Sequence, residues 1–111
     1  MTLNGLVFIY QQSEIKKERR KMIKVVIAED DFRIAQVQEQ FLQKVPDVKV
    51  VQKALNAKET MEILEKYEVD LLFLDIYMPD DLGTNLLSKI RENYPTIDII
   101  MVTAATEKVM L

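Results

Sequence analysis

The chain has 111 residues, 49% hydrophobic and 30% charged, which fits one small domain of ordinary globular composition. It has no cysteine and no histidine, which excludes disulfides, thiolate or imidazole metal sites, a thiol nucleophile and a Ser-His-Asp triad. The net charge of −3 divides into +3 over residues 1–21 and −6 over the rest, so the body lacks the basic surface that binding nucleic acid requires.

In chain order, Leu6-Val-Phe-Ile-Tyr10 is the first apolar run. It is too short for a membrane span or a signal-peptide core, and its charges follow rather than precede it. With no cysteine and no export signal, the expected location is the cytoplasm. Lys24–Ala28 reads as a buried strand rich in β-branched residues. Ile34, Val37, Phe41, Leu42 and Val45 then share one helical face, with Asp30 or Asp31 as cap and Pro46-Asp47 as stop. Val48–Val51 is a second strand. Asn56 caps a helix carrying Ala57, Met61 and Leu64, and Glu59 completes the pattern of a capping box. Leu71–Leu74 is a third strand. Leu86, Leu87, Ile90 and Tyr94 line a third helix that Pro95 stops. Ile97–Val102 is a fourth strand, and Thr106-Glu107 starts another helix.

Strands alternating with helices through short loops predict an α/β fold, a doubly wound parallel sheet. In such sheets ligands bind beyond the carboxyl ends of the strands. The first strand ends in Glu29-Asp30-Asp31, the third in Asp75 and the fourth in Thr103-Ala104. If the first and third strands are neighbours, several carboxylates crowd together and raise one another's pKa. A hard divalent cation such as Mg²⁺ reverses that penalty, and a carboxylate beside it can attack phosphorus.

AEDD at 28–31, LDIYMPDDLG at 74–83 and VTAA at 102–105 together resemble the signatures of the response-regulator receiver domain, with the family's spacing from Met22 to about Leu111. The resemblance implies a flavodoxin-like domain that takes a phosphoryl group from a sensor histidine kinase with Mg²⁺ as cofactor and switches an output, transcription in many members. Asp75 matches the phosphoacceptor and also a metal ligand. Asp30 matches a direct metal ligand and Glu29 one that acts through water. Tyr77 matches the residue giving a backbone carbonyl to the metal. Thr103 matches the switch hydroxyl and Ala104 the small residue beside it. Met78, Pro79 and Gly83 match the loop after the third strand. The LDIYMPD wording is closest to the citrate/malate-sensing branch. The implied partners are the kinase and, in some members, a second receiver; neither DNA nor a membrane is expected to be bound by this chain itself.

Simpler readings compete. Asp75 could begin a turn, Asp31 fits a helix cap better than a ligand, and Thr103 could be structural. A phosphatase that hydrolyses an aspartyl phosphate needs an acid two residues after its nucleophile, where Tyr77 stands. A receiver-like interaction module that is never phosphorylated would keep the fold without the chemistry. The sequence also departs from the family. The fifth strand and helix, the phosphate-contacting lysine and the switch aromatic have no match, and Lys108 comes too early for that lysine. The receiver, residues 22–111, therefore reads as incomplete at its C-terminus, with the fourth strand left as an apolar edge. Residues 1–21 read either as a translated leader before Met22 or as a permuted strand and helix, with Gln11 and Gln12 where the lysine belongs; the leader is the reading favoured.

Overall fold

In the computed structural model, the residues described are 22–102, together with the backbone of Thr2–Leu3 and Leu6–Val7. Four strands form one parallel sheet: β1 (Ile23–Ala28), β2 (Val48–Ala54), β3 (Leu71–Asp75) and β4 (Asp98–Val102). Three helices connect them: α1 (Phe32–Gln43), α2 (Ala57–Lys66) and α3 (Gly83–Asn93). The order across the sheet is β2-β1-β3-β4, so the chain steps outward from β1 to β2 and then returns across β1 to build β3. That reversal opens a crevice at the carboxyl ends of β1 and β3. Thr2–Leu3 pairs antiparallel with Leu6–Val7 in a separate two-stranded sheet, not with β4.

Continuous apolar sequence suits β1 and β3 because both faces of the sheet are covered. Val26, Ala28, Leu72 and Leu74 point to the face covered by α2 and α3, where they meet Leu64, Leu86 and Ile90. Val25 and Ile27 point to the other face, where they meet Ala35 and Leu42 of α1. Ile27, Leu72, Leu74, Leu86 and Ile90 are fully buried. Each such side chain contributes about 1.5–3 kcal/mol by leaving water.

The helix punctuation is local chemistry. Asp31 caps α1 by accepting from the Arg33 N–H at 2.9 Å. Asn56 caps α2 by accepting from the Glu59 N–H at 2.8 Å. The returning arm of the capping box reaches one residue further back than expected, since Glu59 accepts from the Leu55 N–H at 2.8 Å. The buried face of α1 also departs from the sequence reading. Ala35 and Leu42 seat on the sheet, whereas Val37 is 65% and Phe41 37% exposed. Small Ala35 lets the helix backbone approach the strands, and that contact sets the rotation of the helix.

Candidate functional site

Ala28 is in register with Leu74 across β1 and β3, so Glu29 and Asp75 follow side by side at the rim of the sheet. The Glu29 N–H donates to the Ala54 carbonyl at 2.9 Å, holding the end of β1 to β2. The Ile76 N–H donates to the Val102 carbonyl at 3.1 Å, holding the end of β3 to β4. Both carboxylates are therefore borne on backbone fixed from two sides. Glu29 and Asp75 are 5% and 7% exposed, and Asp30 beside them is open to solvent. One carboxylate oxygen from each of the three lies within 4.8 Å of the other two.

Two buried carboxylates at this range are mutually unfavourable. Burial, and after it the charge of Asp75, pushes the Glu29 carboxyl up to about 7, although the Asp31 N–H opposes this by donating to Glu29 at 3.1 Å. Burial also raises Asp75, against the Tyr77 N–H, which donates to its Oδ1 at 3.1 Å. Burial raises both carboxyls, so the pair resists full ionisation unless a cation compensates it. Among the described residues no Lys or Arg forms an ion pair with any of the three acids. An all-oxygen set, two of its members buried and none neutralised by a cationic side chain among the described residues, fits a hard divalent cation.

The loop from Ile76 to Leu82 is tied down along its length. Tyr77 and Leu82 form an isolated antiparallel bridge, and the Gly83 N–H donates to the Ile76 carbonyl at 2.6 Å. A Cβ on Gly83 would lie 2.7 Å from the Asp75 carbonyl oxygen and 2.7 Å from Ile76 Cα, which is why only glycine fits where α3 begins. Met78 turns into the core and Pro79 stays exposed. Tyr77 is 64% exposed, beside the acids. The Arg33 guanidinium lowers the Asp31 carboxyl, which stays ionised as the cap the sequence suggested.

Two features of this loop were missed in the sequence. Asp80 accepts from the Ala57 and Lys58 N–H groups at 2.7 and 3.0 Å, and those donors, Ala57 first, lower its pKa. Asp81 accepts from Lys89 Nζ at 2.9 Å and from Asn85 Nδ2 at 3.1 Å. Asp81 to Asn85 is a helical spacing that could have been found; the partners of Asp80 lie in another helix. Thr103 and Ala104, like the helix start at Thr106-Glu107, lie outside the described residues.

A parallel doubly wound sheet with an acidic, cation-ready cluster at its switch point defines a receiver-type α/β protein. Residues 25–111 match the response regulator receiver domain. The chain belongs to that family. It is 52% identical to transcriptional regulatory protein CitT of Bacillus subtilis over 86 residues, 78% of this chain and 38% of CitT. Likeness to the probable C4-dicarboxylate response regulator DctR of the same organism is 37%, over 80% of this chain and 39% of that protein. The chain thus spans well under half the length of these relatives. Among solved structures, a CheY-like receiver domain protein from Methanospirillum hungatei superposes with a TM-score of 0.66 at 30% identity, over 81% of this chain and 72% of that one. The RcsB response regulator of Salmonella typhimurium superposes with a TM-score of 0.72 at 25% identity, over 76% and 44%. Among the described residues no helix is long and apolar enough to cross a membrane.

Proposed function

We propose that residues 22–111 act as a phosphoacceptor domain in which Asp75 takes a phosphoryl group from a sensor histidine kinase, with Mg²⁺ as cofactor, and that residues 1–21 stand outside this unit. The observation that carries the reading is the meeting of Glu29, Asp30 and Asp75 within 4.8 Å, two of them buried and none paired with a cationic side chain among the described residues. A bound Mg²⁺ supplies charge neutralisation for the phosphoryl oxygens. Asp30, Glu29 and Asp75 would hold the ion, Glu29 by way of a water, and Tyr77 would offer its backbone carbonyl. The Tyr77 N–H fixes the plane of the Asp75 carboxylate through Oδ1. An Asp75 oxygen attacks phosphorus; the new O–P bond forms as the donor's P–N bond breaks, and the electron pair leaves on the donor imidazole, which keeps or regains a proton.

Thr103 follows the last residue of β4 in sequence and donates its hydroxyl to the phosphoryl group; small Ala104 leaves that group room. Met78, Pro79 and Gly83 shape the loop. The added charge biases a two-state surface read by an output, transcription by analogy with the named relatives, or by a second receiver. The domain turns over no external substrate, and its only catalysis is of its own phosphorylation and dephosphorylation.

Incubation with acetyl phosphate and Mg²⁺ is expected to add one phosphoryl mass to the intact chain, and Asp75→Asn to add none. A mass gain retained in Asp75→Asn, or no gain and no response to Mg²⁺ with beryllofluoride in the unmutated chain, overturns the proposal. The second of those outcomes is the signature of an interaction module that works without phosphorylation.

A further inference from the structure

We infer that Asp80 is a positioning residue for the phosphoacceptor loop, clamping residues 76–82 to the first turn of α2. The inference rests on the reading of Asp75 given above and concerns a residue that reading does not use. Asp80 Oδ1 accepts from the Ala57 N–H at 2.7 Å and Oδ2 from the Lys58 N–H at 3.0 Å. Both oxygens are engaged at once by adjacent amides at the positive end of a helix, so the contact fixes direction as well as distance. The remaining amide of that turn, Glu59, is already served by Asn56.

The neck of the loop is closed beside β3 by the Gly83-to-Ile76 hydrogen bond and the Tyr77–Leu82 bridge. Asp80 holds the tip, three residues on from Tyr77 at the neck. α2 is itself anchored through Ala57, Thr60 and Leu64, all buried. An element that carries none of the three acids thereby helps hold the loop in which Tyr77 sits. Asp80 acts through Tyr77 and touches no reacting atom.

The test compares Asp80→Ala, Asp80→Asn and Asn56→Ala in the full chain, by amide exchange and by Mg²⁺ titration. Asn56→Ala removes a cap from the same helix without touching the loop, so it isolates a merely structural effect. In Asp80→Ala the Tyr77 and Gly83 amides are expected to exchange about tenfold faster and the Mg²⁺ dissociation constant to rise about tenfold, as loss of a charge-assisted hydrogen bond implies. Asp80→Asn keeps one acceptor and falls between. Asn56→Ala loosens the α2 amides but leaves the loop amides and Mg²⁺ affinity within about twofold of the unmutated chain. Unmutated exchange and affinity in Asp80→Ala, or equal effects of Asn56→Ala on the loop, overturn the inference. If the unmutated chain takes neither Mg²⁺ nor phosphoryl, the reading of Asp75 fails instead, and amide exchange still decides whether Asp80 clamps the loop.

Discussion

Glu29 and Asp75 hold their ionised forms at a cost that no cationic side chain among the described residues offsets. The folded Glu29 carboxyl titrates near 7 against an ordinary 4.5, with burial the largest cause. Between those two pH values the folded chain keeps a proton that the unfolded chain has lost. The native state therefore binds more protons, and stability falls as pH rises through that window before levelling off above it. In chelator, urea midpoints are expected to report a loss of about 2 kcal/mol between pH 4.5 and 7.5, the full shift being discounted for solvent around the site. Glu29→Gln is expected to remove most of that slope. Mg²⁺ needs the same carboxylates ionised, so its affinity should rise with pH over the same window, as calorimetric titrations at pH 5.5 and 7.5 would show.

At the scale of elements, function depends on how α3 is joined to β3. No side chain caps α3; its N-cap is Leu82, and the Gly83 N–H is satisfied by the Ile76 carbonyl. The helix therefore starts in direct contact with the strand that carries Asp75. Gly83→Ala must push apart backbone atoms at 2.7 Å, because no flexible side chain is there to move. The expected cost is about 1–3 kcal/mol, read from the denaturant midpoint, with slower phosphorylation of Asp75 because its own carbonyl is one of the displaced atoms. Ser88→Ala, on the exposed side of the same helix, is expected to stay within about 0.5 kcal/mol and to phosphorylate normally.

For the whole molecule, a cation that binds only the assembled rim must stabilise the entire fold, because Glu29, Asp30 and Asp75 come together only when β1 and β3 pair. Mg²⁺ at about a hundred times its dissociation constant is expected to raise Tm by on the order of 10 °C for a domain of this size. Thermal melts of Asp30→Ala and Asp75→Ala with and without Mg²⁺ check this, since both variants should lose the shift. At the far side of the sheet, β4 is the edge among the described residues, and Ile100 there is 46% exposed.

Short-range patterns in the chain were enough to establish the strands, the helices and most of their boundaries. β-branched runs mark β1 and β3, Asp31 and Asn56 start helices by bonding amides two and three residues on, and Pro95 follows the end of α3. The acids at the ends of two apolar runs marked Glu29, Asp30 and Asp75 as a cluster on the condition that β1 and β3 are neighbours, which the sheet supplies. The tertiary structure alone decided which face α1 buries, because its rotation is set by the strands beneath Ala35 and not by the apolar ridge of Ile34, Val37 and Phe41. It alone decided the hold of Asp80 on α2, whose partners are 22 and 23 residues away, and the burial that raises the Glu29 and Asp75 carboxyls. Local preferences act within a turn or a strand and are written in neighbouring residues. Contacts that close long loops, and the desolvation that shifts a carboxyl, exist only once the sheet has assembled.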